Sequence, residues 1–180
     1  MERTIIDSLY SDFSSLLTFL GEKGEPSFQS FVDSTFKKTL VVFIGSLFED
    51  KIREILLNMV DDRSANDDLV RNFLRNKAIE RQYHSYFNWK DGNAKQFFGL
   101  FGEKFKDSAV QDVKNNQKLD EAIRVFLELG NKRNELSHIN PENFVTDLTT
   151  EEIYQKYKIA CNFIGYLELK LHNFGKQNQS

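Results

Sequence analysis

Residues 28–59 contain no proline and a single glycine, Gly45, so nothing in them interrupts a helix for eight or more turns. Their centre, Leu40-Val41-Val42-Phe43-Ile44-Gly45-Ser46-Leu47-Phe48, is apolar on nearly every helical face. That pattern predicts one long helix enclosed by neighbours, with this run as buried core. The apolar run is less than half of the roughly 20 residues a membrane span needs, and Lys37, Lys38, Glu49 and Asp50 flank it, so no membrane association is expected. Just past it, Glu49 and Arg53 lie four residues apart on one face. They form either a surface i,i+4 ion pair or a polar face that looks into a cleft.

Other helices follow from three- and four-residue apolar steps. Residues 4–21 place Ile5, Leu9, Phe13, Leu16, Leu17 and Leu20 on one side, and Gly21, Gly24 and Pro26 break that helix before Ser27, a plausible N-cap for the long one. After a polar connector at 61–66, a third helix is predicted from Asp67/Asp68 to Tyr83, with Leu69, Phe73 and Leu74 inside and Arg71, Arg75, Lys77 and Arg81 outside. Residues 84–93 carry the turn signal Asp91-Gly92 and read as irregular, with His84 as a hydrogen-bonded structural residue among aromatics. Phe97, Phe98, Leu100, Phe101 and Phe105 then make a short aromatic helix, read as core or dimer surface ahead of base stacking, and 107–117 reads as a polar link. Leu119, Ile123, Phe126, Leu127 and Leu129 define the penultimate main helix. Pro141 prevents helix continuation beyond Asn140. Thr149 and Glu152 form a capping box that starts a last helix through Leu171, on which Cys161 reads as an inert thiol and His172 as a surface residue; the tail from Gly175 is expected to fray. No stretch alternates with period two. An all-α, single-domain bundle over residues 1–180, with one long central helix and additional short helices, is the expectation.

Composition narrows the class. At 180 residues and 40% hydrophobic, with 17 Phe, the chain can bury a substantial core. One cysteine excludes an internal disulfide and suits a reducing cytosol, and Met1-Glu2-Arg3-Thr4 lacks a signal-peptide pattern, so a cytoplasmic protein is expected. A net charge of -3 disfavours a protein that simply coats nucleic acid. There is no Gly-rich phosphate loop, no Cys/His metal spacing and no nucleophile signature.

The chemistry-bearing string is Lys132-Arg133-Asn134-Glu135-Leu136-Ser137-His138, at the end of the penultimate helical run. An always-charged guanidinium can clamp a phosphate, and an imidazole can move a proton near neutral pH. The plain alternative is that Arg133 and His138 merely offset the helix dipole.

Arg133-Asn134-Glu135-Leu136-Ser137-His138 resembles the Arg, four to six residues, His motif of HEPN domains (higher eukaryotes and prokaryotes nucleotide-binding), many of which carry a polar residue such as Asn directly after the Arg. The long apolar helix containing Leu47–Arg53, and Asn88-Trp89 before a Phe- and Gly-containing helix, are similar to the bacterial RiboL-PSP-HEPN branch. The resemblance implies a metal-independent endoribonuclease without a cofactor, of toxin–antitoxin or anti-phage type. It implies a homodimer whose two Arg133/His138 pairs line one cleft, RNA as substrate, and an antitoxin or other regulatory protein as a possible partner. Asn134, Glu49, Arg53 and Lys132 are the supporting site candidates. In HEPN toxins paired with a minimal nucleotidyltransferase a Tyr often lies two residues after the His; here that residue is Asn140, which puts neutralisation by nucleotidylation in doubt. A non-catalytic HEPN module binding RNA, nucleotide or a protein, and an unrelated helical scaffold, are the competing readings.

Overall fold

A computed structural model describes residues 4–64, 67–138 and 146–175. Among these residues the chain is helical without strands. In order come α1 (Ile5–Glu22), α2 (Pro26–Arg63), α3 (Asp68–Leu74), a π-helical turn (Arg75–Ile79), α4 (Tyr83–Tyr86), α5 (Lys95–Gly99), α6 (Glu103–Asn115), α7 (Gln117–His138) and α8 (Thr150–Asn173). None of them is long and apolar enough to cross a membrane. The all-α bundle with one long helix is thus observed. Asn140, Pro141 and the tail beyond Gly175 lie outside the described residues.

α2 is the axis, about 57 Å long at 1.5 Å per residue. It starts earlier than expected, because Pro26 opens the helix rather than closing the previous one. Pro at the first helical position loses only an N–H that has no helical partner, so Ser27 is not the cap. Leu40, Val41, Ile44, Phe48, Ile52, Ile55, Leu56 and Val60 are buried at three- and four-residue steps, and α7 and α8 pack on that stripe and on each other. Val42 and Phe43 point away and are 43% and 44% exposed, so the central run is covered on one side rather than enclosed. α1 packs on the N-terminal half of α2, with Phe13 stacked on Phe36 at 3.9 Å.

Both ends of the chain's helical order are tied together. Thr4 and Asp7 form a capping box on α1. The Asp7 carboxylate also accepts hydrogen bonds from Tyr154 and Lys158 of α8, at 2.8 and 3.0 Å, and Tyr157 donates to the Thr4 hydroxyl at 2.8 Å. The Thr149–Glu152 box at the start of α8 is present as expected.

Two predicted segments differ. Residues 107–117 are largely helical rather than a link, since Phe105, Ala109, Val110 and Val113 give α6 an apolar side against α5 and α7. The third helix ends at a π-turn instead of reaching Tyr83, and Leu69 and Phe73 are 84% and 65% exposed rather than inside.

The core centres on Phe126 of α7, whose ring lies 5.2 Å from Phe48, 5.2 Å from Phe87 and 5.1 Å from Phe163. The irregular segment carrying Phe87 and Trp89 is fastened here. A Cβ placed on Gly130 would fall 2.1 Å from a Trp89 ring carbon, so the glycine is what lets the indole lie flat on α7.

Gly130→Ala is therefore expected to lower stability by ~1–3 kcal/mol, read from urea denaturation. A second expectation concerns acid. Burial raises the Asp7 pKa, but the Thr4 backbone N–H, Lys158, Tyr154 and the Thr4 hydroxyl outweigh it and hold the carboxyl well below the usual carboxylate range. A native pKa below the unfolded one contributes stability that is complete above the unfolded value, near 4, and is lost as pH falls through the native value. Asp7→Asn should flatten the fall in stability below about pH 5, measured by thermal melts across that range.

Candidate active site

Arg133 lies three residues after Gly130 and seven after Phe126, so it prolongs the buried stripe of α7 and turns its side chain toward α2. There it runs over Gly45. A Cβ at that glycine would sit 2.5 Å from the Arg133 Cγ, so only a bare backbone admits the side chain. The guanidinium ends in a polar cradle: Nη2 donates to Glu49 Oε2 at 3.1 Å, and Nη1 donates to Asn134 Oδ1 at 3.4 Å and to His84 Nε2 at 3.3 Å. The side chains of Arg133 and Glu49 are 20% and 32% exposed, so this ion pair faces a partly desolvated edge.

The expected i,i+4 pairing of Glu49 with Arg53 is replaced. Glu49 reaches across to Arg133, while Arg53 pairs with Asp50 at 3.0 Å and approaches Glu80 at 4.0 Å. Glu49 and Arg53 do share a cleft of about 180 Å³, lined also by Asp50, Glu80, Arg81 and Tyr83. The polar face of α2 thus borders a cleft. Lys132 is half-buried beside Arg133. His138, the last residue of α7, is exposed. A spacing of five residues turns it ~140° around the helix from Arg133, on a different face.

The far wall of the cleft follows from the π-turn. Glu80 N–H donates to Arg75 O, an i→i+5 bond, which ends the helix and leaves neighbouring carbonyls outside its regular ladder. Tyr86 answers them by donating to Ala78 O at 2.6 Å and Ile79 O at 3.3 Å. Its burial, with Glu80 nearby, pushes its phenol up to about 12. Arg81 then takes φ 62°, the one non-glycine residue among the described ones with positive φ. That reversal starts α4, which carries Tyr83 and His84. Tyr83 is buried; burial first, then the Glu49 charge, raise its phenol far above the ordinary value, while Arg133 opposes them. It is a neutral wall of the site. Trp89 donates its indole N–H to His84 O at 3.1 Å, so the ring seated on Gly130 also fixes the His84 backbone.

His84, read as a hydrogen-bonded residue among aromatics, is hydrogen-bonded and lies against Tyr83, but it is exposed and its partner is Arg133, 49 positions away in the chain, a contact that no local pattern announces. Cys161 takes no part: burial pushes its thiol up, consistent with an inert residue. His172, read as a surface residue, pairs with Asp62 at 3.3 Å. Among the described residues no group of three His, Cys, Asp or Glu side chains could hold a metal ion.

The profile of the RiboL-PSP-HEPN family matches residues 7–173, nearly the whole described chain and both halves of this site. The chain belongs to the RiboL-PSP-HEPN family. No curated protein and no solved structure matches it significantly. HEPN domains include ribonucleases and RNA-binding modules, and the Arg/His motif of this HEPN domain falls at the C-terminal end of α7.

Gly45→Ala should push Arg133 off α2. A double-mutant cycle on Arg133→Met and Glu49→Gln, followed by urea denaturation, is expected to give a coupling of about 1 kcal/mol in the wild-type background and none in Gly45→Ala.

Proposed function

We propose that this HEPN domain is a metal-independent endoribonuclease that cleaves RNA by transesterification. The observation carrying the reading is the placement of Arg133. It is an always-charged planar donor, drawn onto the polar edge of α2 by Glu49 and met there by an imidazole, in a chain that retains the Arg/His motif of its family. A guanidinium so oriented stabilises the extra charge on a phosphorane-like transition state, and an imidazole transfers the proton.

Arg133 is the phosphate clamp, and His138 transfers a proton at the scissile bond. Asn134 orients the Arg133 head. Glu49, Arg53 and Lys132 shape the charge around it. The ~140° between Arg133 and His138 on one helix is met by a homodimer in which both motifs line one groove, since a two-fold axis brings each His138 toward the partner's cleft. A toxin–antitoxin or anti-phage role, with a protein that restrains the nuclease, fits such an enzyme. The Glu49 carboxylate on Arg133 favours a second reading, a non-catalytic module that binds RNA, nucleotide or protein, because a phosphate must compete with it.

Labelled RNA in excess EDTA separates the two. Cleavage giving 2′,3′-cyclic phosphate and 5′-hydroxyl ends is expected from the wild type. Arg133→Ala and His138→Ala are each expected to lower the rate by ~10²-fold or more with unchanged far-UV circular dichroism. RNA binding without cleavage would establish the module instead.

A further inference from the structure

His84 stands in α4, outside the Arg/His motif, yet it is the imidazole that touches Arg133 within one chain. The direction of that hydrogen bond is fixed by chemistry. A guanidinium has five N–H donors and no acceptor, so His84 Nε2 accepts and carries a lone pair, and the ring proton is on Nδ1. His84 is exposed, while its backbone carbonyl is held by the Trp89 indole and its ring is set edge-on to the Tyr83 ring at 5.9 Å between centroids. The charged and titratable groups that bear on it are Arg133 from α7, Glu49 from α2 through Arg133, and Tyr83 from α4. The Nε2 lone pair thus lies 3.3 Å from the proposed phosphate clamp and is held by its Nη1–H until that donor turns to a phosphate. Among the described residues the Arg133 head donates to Glu49, Asn134 and His84, three of its five N–H groups.

We infer that His84 is a catalytic residue, the general base of the cleavage step, acting in the same chain as the Arg133 that holds the phosphate. The inference rests on the ribonuclease reading. A phosphate draws Arg133 Nη1 away from His84, and the freed Nε2 takes the proton of the ribose 2′-hydroxyl as the 2′-oxygen bonds to phosphorus. The bond from phosphorus to the 5′-oxygen breaks, and that oxygen receives its proton from the imidazolium of the His138 that the proposed two-fold axis brings to the cleft. The products are a 2′,3′-cyclic phosphate and a 5′-hydroxyl, and both imidazoles return to their starting forms by exchange with water. This assigns the two histidines different faces and different tasks, which agrees with their lying on different helices.

The test compares wild type, His84→Ala and His84→Gln on a labelled RNA in EDTA, with kcat/KM measured across pH 5–9 and thermal melts as a fold control. The Gln carboxamide oxygen can still accept from Arg133 but cannot take up a proton. Both variants are expected to lose ~10²–10⁴-fold at neutral pH, and the rising acid limb of the wild-type profile should give way to a rate that keeps increasing with hydroxide. Near-wild-type activity of His84→Gln would overturn the assignment, reducing His84 to a positioning residue for Arg133. A uniformly lower rate that keeps the acid limb, or unchanged activity in both variants, would overturn it as well. A wild type that cleaves no RNA would instead overturn the ribonuclease reading, and this inference with it.

Discussion

Everything around the site depends on one long cation lying across a bare stretch of helix. The stem of Arg133 passes over Gly45 and its head reaches Glu49 one turn further along α2. A methyl group at Gly45 would occupy the space of the stem, and an α7 rotated by one residue would bring Asn134 there instead. The rest of the core fixes that rotation. Phe126 packs against α2, α8 and the aromatic segment, Leu129 is buried, and Leu136 stays buried two residues from the end of α7. Apolar packing therefore aims the guanidinium, and Glu49 holds it at the mouth of the cleft. Ion pairs this exposed contribute little net stability, so the Glu49 contact matters for direction more than for folding.

Much of this architecture could be read from residue spacing. The Thr149–Glu152 capping box, the long α2 and the apolar stripes of α7 and α8 are local signals, and local signals survive folding when tertiary packing agrees with them, whereas in the predicted α1 stripe Ile5 and Leu16 are exposed and Phe13 is buried. The misreadings share a cause. Val42, Phe43, Leu69 and Phe73 are apolar yet exposed, because hydrophobic character does not say which side a neighbour will cover. α6 was hidden by its charged and polar residues, and only the four apolar positions on one side reveal it. The π-turn and the positive φ at Arg81 answer to the geometry of α2 and α4, not to any residue pattern of their own.

The same division runs through the site. Arg133, Asn134 and Glu49 were readable because a short motif and a polar face mark them, and the structure brings all three into contact. His138 is where the helix pattern placed it, at an exposed helix end. Arg53 turned elsewhere, to Asp50 and Glu80, since Glu49 was already engaged. For His84 the hydrogen-bonded setting among aromatics could be read, but not its partner. Its position is set by an indole resting on Gly130, by a reversal at Arg81 and by the end of a π-turn, three constraints dispersed through the chain.

The bonds joining α1 to α8 bear on the order in which the molecule can be completed. Asp7 and Thr4 find Tyr154 and Tyr157 at sequence separations of 147 and 153 residues, so the cap residues of α1 gain their α8 partners only when the last helix has left the ribosome. α8 is also the helix that packs on both α2 and α7. Until it arrives, the seam between those two helices lacks its third wall, and Arg133 has no settled register against Gly45. Contacts this distant in sequence form late and slow the final step of folding. A nascent chain bearing the complete Arg/His motif is therefore not yet an assembled site.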